Sequence, residues 1–472
     1  MLAQKFLLAG TWTETQETYP VVNPWNQTEI ATVCMPSFEQ VQKAVELTTE
    51  SFQITKNLSL LERNKILLKM ADLITQQKSE LAKIISEEAG KPISLALKEV
   101  DRAIVTLRLS AEESLKLTEQ IIEIDSSKTG KIKRFPIGSI IGISPFNFPL
   151  NLVCHKLGPA IAAGCPIILK PAERTPLSSF KLAEIALESG WPKQAISVLP
   201  IDRSDKQSLD FLIQDERIKV LSFTGSASVG WNLKNNAGKK RVLLELGGNA
   251  AVIVHDDANL ELAAKKLAPA MYAYAGQSCI SSQRIFVQKK VYEKFKVLLI
   301  QEIQKLKIGN PADPEVMVGP MIDLSSAERV EQWLQEAVQE GAKILLGGKR
   351  EKNLFYPTLL ANVNPKSKCY SEEIFAPVKV LVSYDSFKQA LNLVNDSKYG
   401  LQAGIFTQDS NKALQAFEEL DVGGVLINET PTFRADNQPY GGIKDSGFGR
   451  EGPKYAIEEF TELKVLITEL KQ

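Results

Sequence analysis

Cys279 closes the run Gly276-Gln277-Ser278-Cys279. A cysteine just past a glycine, at the end of a helical pattern, sits where the backbone turns, and a thiolate there could be an exposed nucleophile. A buried, inert thiol is the alternative, since cysteine is among the most buried residue types. Glu245 stands inside the apolar run Leu244-Glu245-Leu246, just before Gly247-Gly248-Asn249. A carboxylate at the end of a buried strand is costly unless it is paired or its pKa is raised, and a raised pKa suits a general base. Backbone N–H groups of the turn could equally hold it. Asn147, in Ser144-Pro145-Phe146-Asn147-Phe148-Pro149, follows a strand pattern and precedes an apolar helix with proline at its first turn. Its amide could cap that helix or donate to a developing oxyanion. A thiol, a carboxylate and an amide donor together suit acyl chemistry through a thioester.

A redox cofactor would need a phosphate cradle. The GxGxxG fingerprint is absent, and Gly225-Ser226-Ala227-Ser228-Val229-Gly230 has P-loop spacing but is followed by Trp231 where a lysine is needed. Gly225 and Ser226 still fall between a strand and a helix, where backbone N–H groups meet a pyrophosphate. Metal chemistry finds no support: the two histidines, His155 and His255, form neither HExxH nor a Cys/His cluster, so no zinc site is expected. The five cysteines are scattered without a CxxC pair, which points to a reducing, cytoplasmic compartment.

These groups need elements to hold them. Apolar residues at helical spacing predict helices from 38 to about 116. Short apolar runs at 137–144, 166–169, 195–199, 219–223 and 241–246 then read as buried strands alternating with helices such as 177–189. A second set has strands at 251–254, 284–287, 378–382 and 424–427 and helices at 260–274, 291–305, 325–340 and 411–420. The rhythm predicts two α/β units with largely parallel sheets, divided near residue 248. Residues 114–134 alternate around Asp125-Ser126-Ser127 as a hairpin arm, and 464–467 reads as another short strand. Two such strands leave edges that another element or subunit must cover.

The chain has 472 residues, enough for about three domains or two larger ones. Lys plus Arg and Asp plus Glu both number 56, which gives no electrostatic reason to expect nucleic acid or an anionic membrane. The N-terminus lacks a signal-peptide pattern, and the longest apolar run, between Lys156 and Lys170, is too short to span a bilayer.

Seven motifs occur in order: Pro145-Phe146-Asn147-Phe148-Pro149, Lys170-Pro171-Ala172-Glu173, Phe223-Thr224-Gly225-Ser226, Leu244-Glu245-Leu246-Gly247-Gly248, Gly276-Gln277-Ser278-Cys279, Glu372-Glu373-Ile374-Phe375 and Pro439-Tyr440-Gly441-Gly442. On these the sequence resembles the aldehyde dehydrogenase superfamily over nearly its whole length. The resemblance implies two Rossmann-like α/β lobes with a β-hairpin oligomerisation arm: a cofactor-binding domain at 1–114 and 136–247, a catalytic domain at 248–447, and an arm and tail at 115–135 and 448–472. It implies a homodimer or homotetramer. Cys279 resembles the nucleophile that forms a thiohemiacetal, Asn147 and the Cys279 N–H its oxyanion donors, and Glu245 the base that activates water against the thioester. Glu245 also resembles the branch that releases a free acid.

For the cofactor, the resemblance puts Lys170 and Glu173 on the adenosine ribose, Gly225 and Ser226 at the pyrophosphate, and Glu373 and Phe375 at the nicotinamide ribose. Ser144, Pro145, Phe146, Phe223, Leu246 and Gly247 complete the set. A carboxylate at 173 accepts from a free 2′-hydroxyl and repels a 2′-phosphate, so NAD is expected over NADP, with NADP admissible. The loop 201–206 lacks the glycines that members often carry there, so the floor of that site is expected to differ. On the substrate side, His155 falls on the helix lining the family's tunnel, and Phe433 and Arg434 fall in the loop that closes it. Arg108 lies on a helix approaching the mouth, with a surface ion pair to Glu112 as the alternative. Arginines suit anionic groups, and Ser278 replaces the arginine of a phosphate-binding relative. A short polar or anionic aldehyde, of the lactaldehyde or semialdehyde type, is therefore expected. A cofactor-independent thiol hydrolase and a non-catalytic oligomeric protein remain as other readings.

Overall fold

The computed structural model describes residues 3–469. An eight-stranded sheet runs in the order Thr11–Thr13, Phe6–Leu8, Ile196–Val198, Ile167–Lys170, Ser139–Ile143, Ile218–Thr224, Arg241–Glu245, Gly447–Phe448. Its five inner strands are parallel, and antiparallel strands close both sides. Ser139–Ile143 and Ile167–Lys170 are buried at every residue, as expected of parallel strands covered on both faces. The helix Asn151–Ala163 is likewise buried along its whole length and serves as a core element. From Ser139–Ile143 the chain builds outward on one side, then crosses to Ile218–Thr224 on the other. That reversal opens a crevice beyond the carboxyl ends of these two strands.

A second, seven-stranded sheet runs Lys343–Leu346, Thr358–Ala361, Val378–Tyr384, Arg284–Gln288, Ala251–Val254, Gln402–Phe406, Gly424–Ile427. All pairings are parallel except the first. The strands read from the sequence appear within a few residues of their expected bounds. Gln402–Phe406 was not anticipated: it is buried on both faces and so shows no alternation. The N-terminal strand Phe6–Leu8 was too short to carry a pattern of its own.

Two apolar cores accompany the two sheets. The first collects residues up to Leu246 and then Ala456, Ile457 and Phe460. The second runs from Ala251 to Leu420. The tail assigned to the arm from residue 448 onward is therefore divided. Phe448 pairs with Leu244 in the first sheet, and the helix Pro453–Glu459 packs its apolar side into the first core. Only Thr461–Glu469 joins the arm. It pairs antiparallel with Lys128–Pro136, which in turn pairs with Gln120–Asp125. The tail thus covers one arm edge from within the same chain. No helix among the described residues is long and apolar enough to cross a membrane.

Candidate active site

Past Ala273, which closes the helix Leu260–Tyr272, come three consecutive left-handed residues, Tyr274 at φ 53°, Ala275 at 55° and Gly276 at 67°. Each non-glycine residue there costs about 1–2 kcal/mol, so the surroundings must impose the turn. Tyr274 donates its N–H to the Met317 carbonyl and its hydroxyl to the Ala89 carbonyl, each at 2.9 Å. The Gln277 side chain donates to the Tyr274 and Pro320 carbonyls and accepts from the Ile322 N–H. A Cβ on Gly276 would stand 2.6 Å from the Ala376 carbonyl oxygen, so only glycine fits. The turn leaves Cys279 half-buried while the other four cysteines are buried.

Asn147 is not the cap of the following helix, which begins only at Asn151. Its Nδ2 donates instead to the Gln277 carbonyl at 3.0 Å, tying the two loops together. The helix start is held by Glu99, whose Oε1 accepts from the Leu150 and Asn151 N–H groups at 2.9 and 3.1 Å. The other oxygen of Glu99 pairs with Lys91, whose Nζ lies 3.5 Å from the Phe148 ring centroid and 4.9 Å from that of Tyr274. One buried ion pair thus stands behind both the amide loop and the thiol loop.

Glu245 ends the strand Arg241–Glu245. Its Oε2 lies 3.9 Å from Cys279 Sγ, and its Oε1 is buried with no hydrogen-bond partner. The turn N–H groups do not hold it. Burial, and then the charge of Glu451, push its carboxyl up to about 8. Glu451 goes the other way: burial raises it, but Lys156 and Arg434 outweigh burial and bring it down to about 2. Cys279 is itself raised, by burial and then by the Glu245 charge.

Both residues open into a cleft of about 470 Å³ at the crevice of the first sheet. Asn147, Glu245 and Cys279 line it, together with Ser144, Pro145, Phe146, Lys170, Glu173, Phe223, Gly225, Ser226, Leu246, Gly247, Glu373 and Phe375. All the residues expected around a dinucleotide therefore meet in one place. The chemistry fits such a group. Ser226 caps the helix Ala227–Asn236 with no side-chain hydrogen bond, leaving the first-turn N–H groups open to an anion. Phe146 and Phe375 pack edge to face at 5.8 Å and give the cleft an apolar wall. Glu373 accepts from the Gly248 N–H at 2.9 Å, and burial raises its carboxyl to about 7. A Cβ on Gly247 would reach within 2.2 Å of that carboxylate, so glycine lets it close on the turn. Lys170 and Glu173 form an ion pair at 3.5 Å. In the glycine-poor loop, Asp202 accepts from Ser204 and lies in the field of Lys170. Arg329 also lines the cleft, where a donation to the Ile374 carbonyl at 2.8 Å fixes it. Nothing in its sequence surroundings marked it.

Beyond Cys279 there is a buried charge network. His155 Nε2 lies 2.9 Å from Asp436 Oδ1, which also pairs with Arg102. With its proton directed at Asp436, Nδ1 is left without a partner. Burial, and then the Arg434 charge, keep the ring neutral by lowering its pKa. Arg434 Nη2 donates to Glu451 Oε2 at 2.9 Å, and its guanidinium stacks 3.7 Å from the Tyr440 ring centroid. Lys156 donates to Thr224 at 2.7 Å and pairs with Glu451 at 3.4 Å.

Two expected substrate residues lie elsewhere. The Arg108 side chain is 53% exposed and faces Asp72 at 3.5 Å, not Glu112. Arg102 takes the inward position, because its place on the helix Ile93–Leu115 faces Asp436. The Phe433 side chain is 53% exposed and lies outside the cleft. Asp436, two residues beyond Arg434, was the available signal for this network.

The sequence pattern of the aldehyde dehydrogenase family matches residues 12–466. The chain is 43% identical over 466 residues to a 3-sulfolactaldehyde dehydrogenase of Priestia aryabhattai, covering 98% of this chain and 97% of the relative. Aldehyde dehydrogenase 21 of Physcomitrella patens, solved with its reaction product succinate, superposes with a TM-score of 0.95 at 40% identity, covering 99% of this chain and 98% of that one. The glyceraldehyde-3-phosphate dehydrogenase GapN of Methanocaldococcus jannaschii, complexed with NADP, gives 0.93 at 38% identity, covering 96% and 100%.

Proposed function

The chain belongs to the aldehyde dehydrogenase family and is an NAD(P)-dependent aldehyde dehydrogenase, and we propose that its substrate is a short aldehyde bearing an anionic group, of the sulfolactaldehyde or semialdehyde kind, released as the free carboxylic acid. The observation that carries this is Arg434, a buried cation stacked on Tyr440, whose hydroxyl lies 3.4 Å from the thiol. This guanidinium, paired with Glu451 at 2.9 Å and stacked on the ring that reaches the thiol, is the cation on that side for a substrate that ends in an anion. The names of the similar proteins carry a sulfonate, a dicarboxylate product and a phosphate ester.

Cys279 Sγ adds to the aldehyde carbon. Asn147, with one N–H on Gln277 and a second free, and the Cys279 N–H hold the oxygen as it becomes negative. A dinucleotide held in the cleft by residues such as Ser226, Gly247 and Glu373 would supply the hydride acceptor, which a thiol hydrolase would have no use for. Glu245, raised toward neutrality, takes a proton from the water that attacks the thioester. Of the two cofactors NAD is preferred, because Glu173 lines the cleft and a carboxylate there would accept from a free 2′-hydroxyl and repel a 2′-phosphate. A higher kcat/KM with NADP would overturn that preference. The setting is cytoplasmic, in keeping with five free cysteines. The outer edge of Gln120–Asp125 and exposed Ile121, Leu466 and Ile467 form the self-association surface of a dimer or tetramer. A monomer by light scattering at micromolar concentration removes that reading.

The deciding experiment follows reduced cofactor by absorbance for wild type and Cys279→Ala with sulfolactaldehyde, succinic semialdehyde, lactaldehyde, glyceraldehyde 3-phosphate and propanal. The variant should lose activity by about 10⁴-fold or more. A wild type that prefers propanal would remove the anionic reading.

A further inference from the structure

Tyr440 is 2% exposed, and among the described residues Cys279 Sγ, at 3.4 Å, is the hydrogen-bond partner of its hydroxyl. A buried hydroxyl left unpaired costs about 1–3 kcal/mol, and phenylalanine would fill the same volume without that cost. The phenol is held firmly in place. Tyr440 exchanges backbone hydrogen bonds with Glu451 in both directions, at 2.9 and 2.6 Å. Arg434, fixed by Glu451, presses on the ring face. A guanidinium there draws electron density from the ring and makes the O–H a stronger donor.

The thiol is otherwise poorly served. Burial, and then the Glu245 and Glu373 charges, oppose a negative sulfur, while the Tyr440 hydrogen bond and the Arg434 charge favour one. A thiolate accepts and cannot donate, so the direction of the contact is settled once the thiol ionises.

We propose that Tyr440 is a further catalytic residue: its O–H donates to Cys279 Sγ and stabilises the thiolate that attacks the aldehyde, with Arg434 polarising the phenol. The thiol proton passes to the Glu245 carboxylate, 3.9 Å away. The sulfur lone pair forms the S–C bond, the carbonyl π pair moves to oxygen, and Tyr440 keeps its proton throughout. Glu245 returns its proton to solvent before it serves as base for the attacking water. This role rests on Cys279 being the nucleophile.

The test needs no aldehyde. Wild type, Tyr440→Phe and Cys279→Ala are alkylated with iodoacetamide across a pH series, with Cys279→Ala giving the background. Tyr440→Phe should react about tenfold more slowly near neutral pH and match wild type at high pH, where the thiol ionises unaided. Its thermal midpoint and dinucleotide affinity should stay unchanged. An unaltered profile, or slowing by the same factor at every pH, overturns the proposal. Should the phenylalanine variant fail to fold, 3-fluorotyrosine at position 440, a stronger donor, should speed alkylation near neutral pH, and no change would overturn the role equally. Cofactor reduction persisting in Cys279→Ala would instead defeat the nucleophile reading and leave Tyr440 without its purpose.

Discussion

The two sides of the thiol are built on different principles. On one side the chain offers an open, largely apolar cleft walled in part by Gly225, Gly247 and the start of the helix Ala227–Asn236, which Ser226 leaves without a side-chain hydrogen bond. On the other side, charges pack against one another with little space between. His155 meets Asp436 across 281 positions, and Arg102 meets it across 334. On the reading proposed above, the cleft takes a common cofactor on backbone groups and a few side chains, Glu173 among them, whereas a closed ion network can be adjusted for one substrate and disturbed by a single change. Cys279 and Glu245 stand where the two meet.

The sharpest break in this comparison comes at the junction. Glu245→Gln should lower steady-state turnover by about 10²–10⁴-fold while a single turnover of reduced cofactor survives at a reduced rate, because the variant loses the base for hydrolysis and the acceptor of the thiol proton. Stopped-flow traces showing a burst of one equivalent check this. In the wild type the base must be deprotonated, so turnover limited by hydrolysis should rise as pH climbs through about 8. That limb should vanish in the variant. A step further into the charged side, Arg434→Met should cut kcat/KM for an anionic aldehyde by about 10- to 100-fold. Dinucleotide affinity should hold within twofold by fluorescence titration, and equal losses on both sides would erase the division. In the cradle, Glu173→Gln should shift the NAD-to-NADP ratio of kcat/KM by about tenfold toward NADP and leave the aldehyde KM alone. The smallest effect belongs to neither side. Arg108→Ala should change stability by about 0.5 kcal/mol or less and activity not measurably, by thermal melts and initial rates.

What could be read from the sequence follows the same line. The cradle was legible because local motifs specify it: a strand, a glycine and a helix start are contiguous in Phe223-Thr224-Gly225-Ser226, and the same holds for Leu246-Gly247. Asn147 and Cys279 were legible for that reason, although the bond from Asn147 to the Gln277 carbonyl was not. The charge network was legible only in part. His155 and Arg434 could be named, but Arg108 was named while the inward position belongs to Arg102, since which of two positions six residues apart on one helix faces inward is decided by packing and not by composition. Tyr440 was visible as part of a motif, yet its contact with the thiol needed the fold. Lys91 and Glu99 showed no signal: a charged pair eight residues apart reads as solvated surface until helices close over it. Gln402–Phe406 escaped because burial on both faces removes the alternation that marks a strand.

The return of the helix Pro453–Glu459 to the first core bears on the order in which the protein can be made. The second core is assembled from one continuous stretch and can close as soon as the strand Gly424–Ile427 has left the ribosome. The first is synthesised earlier but waits for Ala456, Ile457 and Phe460. Until these arrive, part of the core around the wholly buried helix Asn151–Ala163 lacks its cover. The lobe begun first is therefore the lobe finished last. For as long as the nascent chain is incomplete, it exposes an apolar surface that invites association with chaperones or with other unfinished chains.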